Sequence, residues 1–329
     1  MSAAMRRDEH NPILTAEDVP YPCVRCFNPG ATRFGDRYLL LVRTVAEDNS
    51  ESLGLALSAD GRHFVVEPEP ALVPAERDRG RLNDPRITRI GESYYVCFCS
   101  DPRDGIKIGI AATHDFRTFD KFYYSEPDNR NAVLFPETIN GLYARLDRPF
   151  TRWYWLDRAY DIWISYSPDL RFWGEHRRVL SYRDVPWGNN KIGPGPPPIK
   201  TDRGWLVIYH GVEHPDGTDT DWQKTYRAGV MLLDLDDPSR VIAQPKAPLM
   251  SPEADYETDP TRRPNVVFPT GAIVEADGEV KIYYGAGDRC VALATSTVDE
   301  LLDFCLNPAD YTHPISHPVD PDPPRSRHA

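Results

Sequence analysis

At 329 residues the chain has room for one or two domains, and its 32 prolines and 21 glycines, spread throughout, suit many short strands joined by frequent turns. A net charge of −12 argues against nucleic acid as the main partner, because a phosphate backbone demands a basic face. The first twenty residues carry Arg6-Arg7-Asp8-Glu9-His10 rather than the apolar core of a signal peptide, and no apolar run is long enough to span a bilayer; the expectation is a cytoplasmic protein with no membrane partner.

In chain order, one phrase recurs five times: a proline, a short strand, a polar turn with glycine, and an apolar strand. Asn28-Pro29-Gly30 precedes Arg33-Phe34-Gly35-Asp36 and Tyr38 to Arg43. Asn83-Asp84-Pro85-Arg86 precedes Ile87 to Ile90, Gly91-Glu92, and Tyr94 to Ser100. Phe135-Pro136-Glu137 precedes Asn140-Gly141 and Tyr143 to Arg148, and Pro197-Pro198-Ile199 precedes Asp202-Arg203-Gly204 and Trp205 to His210. Phe268-Pro269-Thr270 closes the series before Asp277-Gly278 and Val280 to Gly285. A second phrase, a small apolar strand running into Asp60, Asp115 or Asp169, follows the first three copies. It is looser at Asp234 in the fourth and meets Val298-Asp299 in the fifth. Copies spaced by roughly 50 to 70 residues, each offering about four strands, predict an all-β fold, a five-bladed β-propeller. The expected domains are a polar arm over 1–20, one propeller over 21–312 and a mobile tail over 313–329.

The six cysteines include a lone Cys23-x-x-Cys26 and the pair Cys97 and Cys99 on one strand face, which read as small buried hydrophobes; no metal site is expected. The inner strand of each blade lines a central channel, so equivalent strand ends gather at its mouths. The five copies deliver Asn28 and Arg43, Asp84 and Arg86, Glu137 and Arg148, Lys191 and His210, and Asp288, with Asn129-Arg130-Asn131 just ahead of the third. Alone, an aspartate beside proline fixes a turn and an edge arginine pairs at the surface. Their common register instead predicts one cavity in which two or three carboxylates face several cations.

These strings, together with Leu146-Asp147-Arg148-Pro149, Lys191-Ile192-Gly193-Pro194-Gly195, Ile208-Tyr209-His210-Gly211 and Tyr284-Gly285-Ala286-Gly287-Asp288, resemble glycoside hydrolase family 130, the β-mannoside phosphorylases, over nearly the whole chain. The resemblance implies inverting cleavage in which inorganic phosphate attacks the anomeric carbon, so that one protein carboxyl suffices. Asp84 matches that general acid, which passes its proton through the mannose 3-hydroxyl. Such an acid should have its pKa raised by burial or a neighbouring carboxylate. Arg130, Arg148 and His210 match the phosphate-binding positions, with Asn131 and Lys191 as neighbours. Asn28, Arg43 and Asp288 match positions contacting the mannose. No cofactor is implied beyond phosphate as co-substrate, and the partners are a mannoside and phosphate, with a homo-oligomer held open and the arm before Pro20 as its contact. The motifs lean toward β-1,4-manno-oligosaccharides, with the linkage open between β-1,4 and β-1,2.

Acceptor stacking is expected from among Trp153, Tyr154, Trp155, Trp187 and Trp222, against packing between blades as the commoner use of tryptophan, and acceptor choice from the loop Glu213 to Thr225. Two other readings stand beside phosphorolysis. One is a hydrolase pairing Asp84 with Glu137 or Asp288; the other is a noncatalytic sugar-binding propeller.

Overall fold

Each repeat builds one antiparallel sheet in the computed structural model, which describes residues 4–78, 80–101, 105–153, 156–214, 223–261 and 263–308, with the backbone alone in 151–153 and 156–159. Blade 1 is Arg25–Phe34, Arg37–Val45, Glu51–Ser58 and Val65–Leu72, from the inside outward. Blade 2 is Leu82–Ile90, Ser93–Ser100, Lys107–Thr113 and Asp120–Tyr124. Blade 3 is Asn129–Leu134, Tyr143–Pro149, Ile162–Ser167 and Gly174–Leu180. In blade 4 the inner edge is split into Lys191–Pro194 and Ile199–Lys200, both paired with Trp205–Glu213, followed by Thr225–Leu233 and Val241–Ala243. The five-bladed propeller read from the repeats is the observed architecture.

Both faces of these sheets are covered, which is why the strands read as near-continuous apolar runs. Successive side chains point to opposite faces, so Leu39 and Leu41 pack toward blade 2 with Ile87 and Val96, while Leu40 and Val42 pack toward blade 5 with Tyr283 and Leu293. Five apolar clusters result, one in each seam between neighbouring blades. Near the axis the inner strands approach so closely that a Cβ on Gly30 would stand 2.9 Å from the Pro85 carbonyl oxygen.

The second recurring phrase is a side-chain-capped turn. Asp60, Asp115, Asp169 and Asp234 each accept from two backbone N–H groups two and three residues on, which turns the third strand of blades 1 to 4 toward the fourth.

The fifth copy departs from the four-strand expectation. It supplies Val267–Val274, Glu279–Ala286 and Cys290–Thr297 and then enters a helix, Val298–Leu306, because Thr297 and Glu300 form a reciprocal capping box there. The missing outer strand is Arg6–Arg7, paired antiparallel with Ala294 and Thr295. Arg7 also donates to both oxygens of the buried Glu257, at 2.9 and 2.8 Å, and Glu257 accepts from the Tyr284 hydroxyl and from the backbone of Glu253 and Ala254. Arg7→Ala would leave that carboxylate buried with its cation gone. It is expected to cost about 3 kcal/mol, read as a lower urea midpoint at unchanged slope.

Candidate active site

The site is made by a bulge repeated in the inner strands. Pairing with the second strand slips between Phe27 and Gly30, between Asn83 and Arg86, between Arg130 and Val133, and between Pro269 and Gly271. The extra residue of the first three is Asn28, Asp84 and Asn131, with φ of 51°, 51° and 59°. Bulges re-aim a side chain beside active sites, and Asn and Asp tolerate this left-handed backbone better than branched residues. In the third copy the equivalent position is therefore Asn131, four residues before the Phe135-Pro136 taken from the sequence. This corrects the placement of Glu137, which is exposed and pairs with Lys200 at 2.6 Å rather than facing the channel.

Asp84 is buried at the centre of what the bulges gather. Its Oδ1 accepts from Asn28 Nδ2 at 2.8 Å and lies 3.4 Å from Arg43 Nη1, while Oδ2 accepts from Arg130 Nη2 at 3.0 Å. Burial alone would push this carboxyl up. Arg43, Arg130 and Arg86 outweigh it and hold the carboxyl at about 2, below the ordinary value rather than above it as expected from the sequence. Arg86 is itself a strut, donating to the carbonyls of Asp84, Pro194 and Gly195 and so joining blade 2 to blade 4.

On the other side of Arg130, no carboxylate among the described residues pairs with Arg148 or His210. Burial and the neighbouring Arg130 hold the Arg148 guanidinium down at about 9, and burial with Arg148, Arg86, Lys191 and Arg130 keeps His210 well below the usual histidine range. Arg148 Nη1 donates to His210 Nε2 at 3.2 Å, which places the proton of the neutral ring on Nδ1. Among the described residues, Arg130 Nε, Arg148 Nε, His210 Nδ1 and Asn131 Oδ1 are buried without a hydrogen-bond partner. Lys191 lies over the Tyr226 ring, 5.3 Å from its centroid. Buried donors without partners beside Arg130, Arg148 and His210 are the chemistry of an anion site.

Gly193 gives this cluster its room: a Cβ there would meet His210 Cε1 at 2.6 Å and Arg148 Nη1 at 3.3 Å. Gly193→Ala is expected to displace the ring and weaken phosphate binding about tenfold or more, checked by calorimetric titration.

Asp288 (φ 49°) sits in the turn after Ala286, close enough to act on Arg43, and pairs with Arg263 Nε at 3.2 Å. Arg263 in turn donates to the Tyr226 hydroxyl at 3.0 Å. Arg263 and Tyr226 were not singled out from the sequence, since neither falls at an inner-strand end. Glu51 and the amide of Asn83 were also missed. The one signal for Glu51 was a charged residue opening a strand of small and apolar side chains, Glu51–Ser58. Trp187 is buried in the seam between blades 3 and 4, stacked on Tyr209, and so packs rather than faces a sugar. Trp153, Tyr154, Trp155 and Trp222, and 215–222 of the loop Glu213 to Thr225, lie outside the described residues or side chains.

The family model described as β-1,4-mannooligosaccharide phosphorylase matches residues 5–307. A β-1,4-mannooligosaccharide phosphorylase of Ruminococcus albus is 35% identical over 311 residues, covering 89% of this chain and 85% of that protein. A β-1,2-mannobiose phosphorylase of Listeria innocua is 36% identical over 250 residues, 75% of this chain and 67% of that protein. The solved structure of β-1,2-mannobiose phosphorylase from Listeria innocua in complex with β-1,2-mannobiose superposes with a TM-score of 0.81 at 30% identity, covering 92% of this chain and 99% of that one. By its matched span, its five blades and these relatives, the chain belongs to glycoside hydrolase family 130, the family of the β-mannoside phosphorylases.

Proposed function

We propose that this protein is an inverting phosphorylase that cleaves β-1,4-manno-oligosaccharides with inorganic phosphate, giving α-mannose 1-phosphate and a shortened sugar. The observation that carries the reading is Arg130, which touches Asp84 on one side and stands beside the buried Arg148 and His210 on the other. A proton donor and an anion site thus share one guanidinium. Asn28, Arg43 and Asp288 grip the mannose, and Arg130, Asn131, Arg148, Lys191 and His210 hold phosphate on the far face of the ring. Phosphate attacks the anomeric carbon, the glycosidic bond breaks, and the leaving oxygen takes the proton of Asp84, relayed through the sugar's 3-hydroxyl.

The low proton affinity that the arginines impose on Asp84 fits this order of events. Phosphate brings negative charge to Arg130 and Arg148, offsets their pull on Asp84, and leaves burial to push the carboxyl up toward the range of a working acid. A hydrolase would need a second carboxylate free to activate water. Glu137 is at the surface, and Asp288 is paired with Arg263. The β-1,4 linkage is supported by the family description and the Ruminococcus relative, and the Listeria relative keeps β-1,2-mannobiose as the second substrate to try. A cytoplasmic setting accompanies this reading, supported by six cysteines that are all free.

The test is incubation with β-1,4-mannobiose, and in parallel β-1,2-mannobiose, with and without phosphate. Phosphate-dependent release of α-mannose 1-phosphate is expected. Equal release of free mannose in both conditions would replace the reading with hydrolysis.

A further inference from the structure

Behind Asp84 runs a closed circuit of side chains in which Glu51 stands two contacts from the acid, through Arg43. Arg43 Nη1 points to Asp84 and its Nη2 donates to Glu51 Oε1 at 2.7 Å. Glu51 Oε2 accepts from Asn83 Nδ2 at 3.0 Å. Asn83 Oδ1 accepts from Arg130 Nη2 at 3.3 Å, and the same Nη2 returns to Asp84 at 3.0 Å. Glu51, Asn83 and Asp84 are all buried.

The circuit has one consistent assignment of donors and acceptors. The two arginines only donate and Asp84 only accepts, while Asn83 gives on one side and takes on the other. A side chain at 51 that accepts from both neighbours completes it. A glutamine there must turn its amide toward Arg43 or Asn83. Arg43 has no acceptor to offer, and turning Asn83 to meet the amide puts its own NH2 against the Arg130 guanidinium. One contact is lost in every arrangement.

We propose that Glu51 is a positioning residue of the phosphorolysis reaction: it fixes Arg43 directly and Arg130 through Asn83, and so sets how much of each guanidinium Asp84 receives. The inference rests on Asp84 being the acid. Asp84 faces Arg43 and Asn28 from blade 1, Arg86 and Cys99 from blade 2, and Arg130 and Arg148 from blade 3, with Asp288 acting on Arg43 from blade 5. Glu51 competes with Asp84 for Arg43, and Asn83 competes with it for Arg130. Removing the Glu51 charge hands Arg43 wholly to Asp84, which then gives up its proton at lower pH.

The experiment is the pH profile of kcat/KM for β-mannobiose at fixed phosphate, in the wild type, Glu51→Gln and Glu51→Asp. A general acid loses activity as pH rises through its pKa, so the alkaline limb should move down by about one pH unit in Glu51→Gln. It should return most of the way in Glu51→Asp, which restores the charge. A purely architectural glutamate would lower the rate by one factor at all pH values, and an unmoved limb overturns the proposal. If Glu51→Gln does not fold, Asn83→Ala carries the test, because it releases Arg130 to Asp84 and should move the limb in the same direction; an unmoved limb there is equally fatal. Failure of the phosphorylase reading shows in the wild type, as turnover that ignores phosphate or no turnover of either linkage, and takes this role of Glu51 with it. Failure of the inference alone shows as an active, phosphate-dependent wild type with variants whose limbs do not shift.

Discussion

Asp84→Asn is expected to slow phosphorolysis of β-1,4-mannobiose by about a thousandfold, the usual scale of a positioned general acid. An aryl β-mannoside, whose leaving group departs without a proton, should lose far less. The comparison separates proton donation from sugar binding, since both substrates carry the same mannose, which the proposed reading sets against Asn28 and Arg43; an equal loss on both would remove Asp84 from the role. The wild type carries a companion signature in pH. Arg43, Arg130 and Arg86 hold Asp84 at about 2, so on their pull alone it is a carboxylate near neutral pH. Bound phosphate offsets those cations. The alkaline limb of kcat at saturating phosphate should therefore lie at higher pH than the limb of kcat/KM for phosphate, which reports the phosphate-free site. Coincident limbs would mean that phosphate does not tune the acid.

The second large effect has opposite signs for function and stability. Arg148 is buried beside Arg130, and its guanidinium is held down at about 9 against an ordinary value of 12.5. A base whose proton is bound less tightly in the folded state than in the unfolded chain makes folding less favourable wherever it is charged, here throughout the neutral range. Arg148→Met removes that charge and keeps most of the volume. It should raise the melting temperature by a few degrees in phosphate-free buffer, while kcat/KM for phosphate falls about a hundredfold or more with the loss of a charge-assisted ligand. In the wild type, phosphate at a hundred times its Kd should add about 2.7 kcal/mol to stability, and the variant should lose most of that response. Lower stability together with an undiminished response to phosphate would place the anion elsewhere. Wherever an anion site is assembled before its anion arrives, stability is traded for readiness.

The sequence made the blades legible because they repeat, and repetition survives local ambiguity. Pro29, Pro85 and Pro269 mark the same turn of the chain in blades 1, 2 and 5, and the apolar runs betray sheets buried on both faces. The third copy was set four residues late because Phe135-Pro136 imitates the phrase, whereas the bulge that defines the register is carried by Asn131, which has no proline after it. The fifth blade's outer strand was not legible at all, since two arginines near the start of the chain carry no strand pattern of their own and gain one only by pairing with Ala294 and Thr295. In the site, residues on bulges and inner-strand ends could be placed by register. Glu51, Tyr226 and Arg263 could not, because they reach the centre from third strands and a loop through side-chain length rather than through a shared position. The direction of the Asp84 shift was missed for a related reason. Burial was foreseeable, but the number of arginines converging on one carboxylate is a property of the closed ring.

Closing the last blade with Arg6–Arg7 has a consequence for how the molecule comes to be. Arg6 meets Glu300 from 294 positions away, a contact that forms only once both ends of that separation are present. Four sheets are built from consecutive segments, while the fifth borrows its outer strand from a segment that precedes blade 1. Slow folding belongs to such long-range pairing. Without Arg6–Arg7 the strand Cys290–Thr297 would present an open edge, and an open edge is where pairing with a second chain begins.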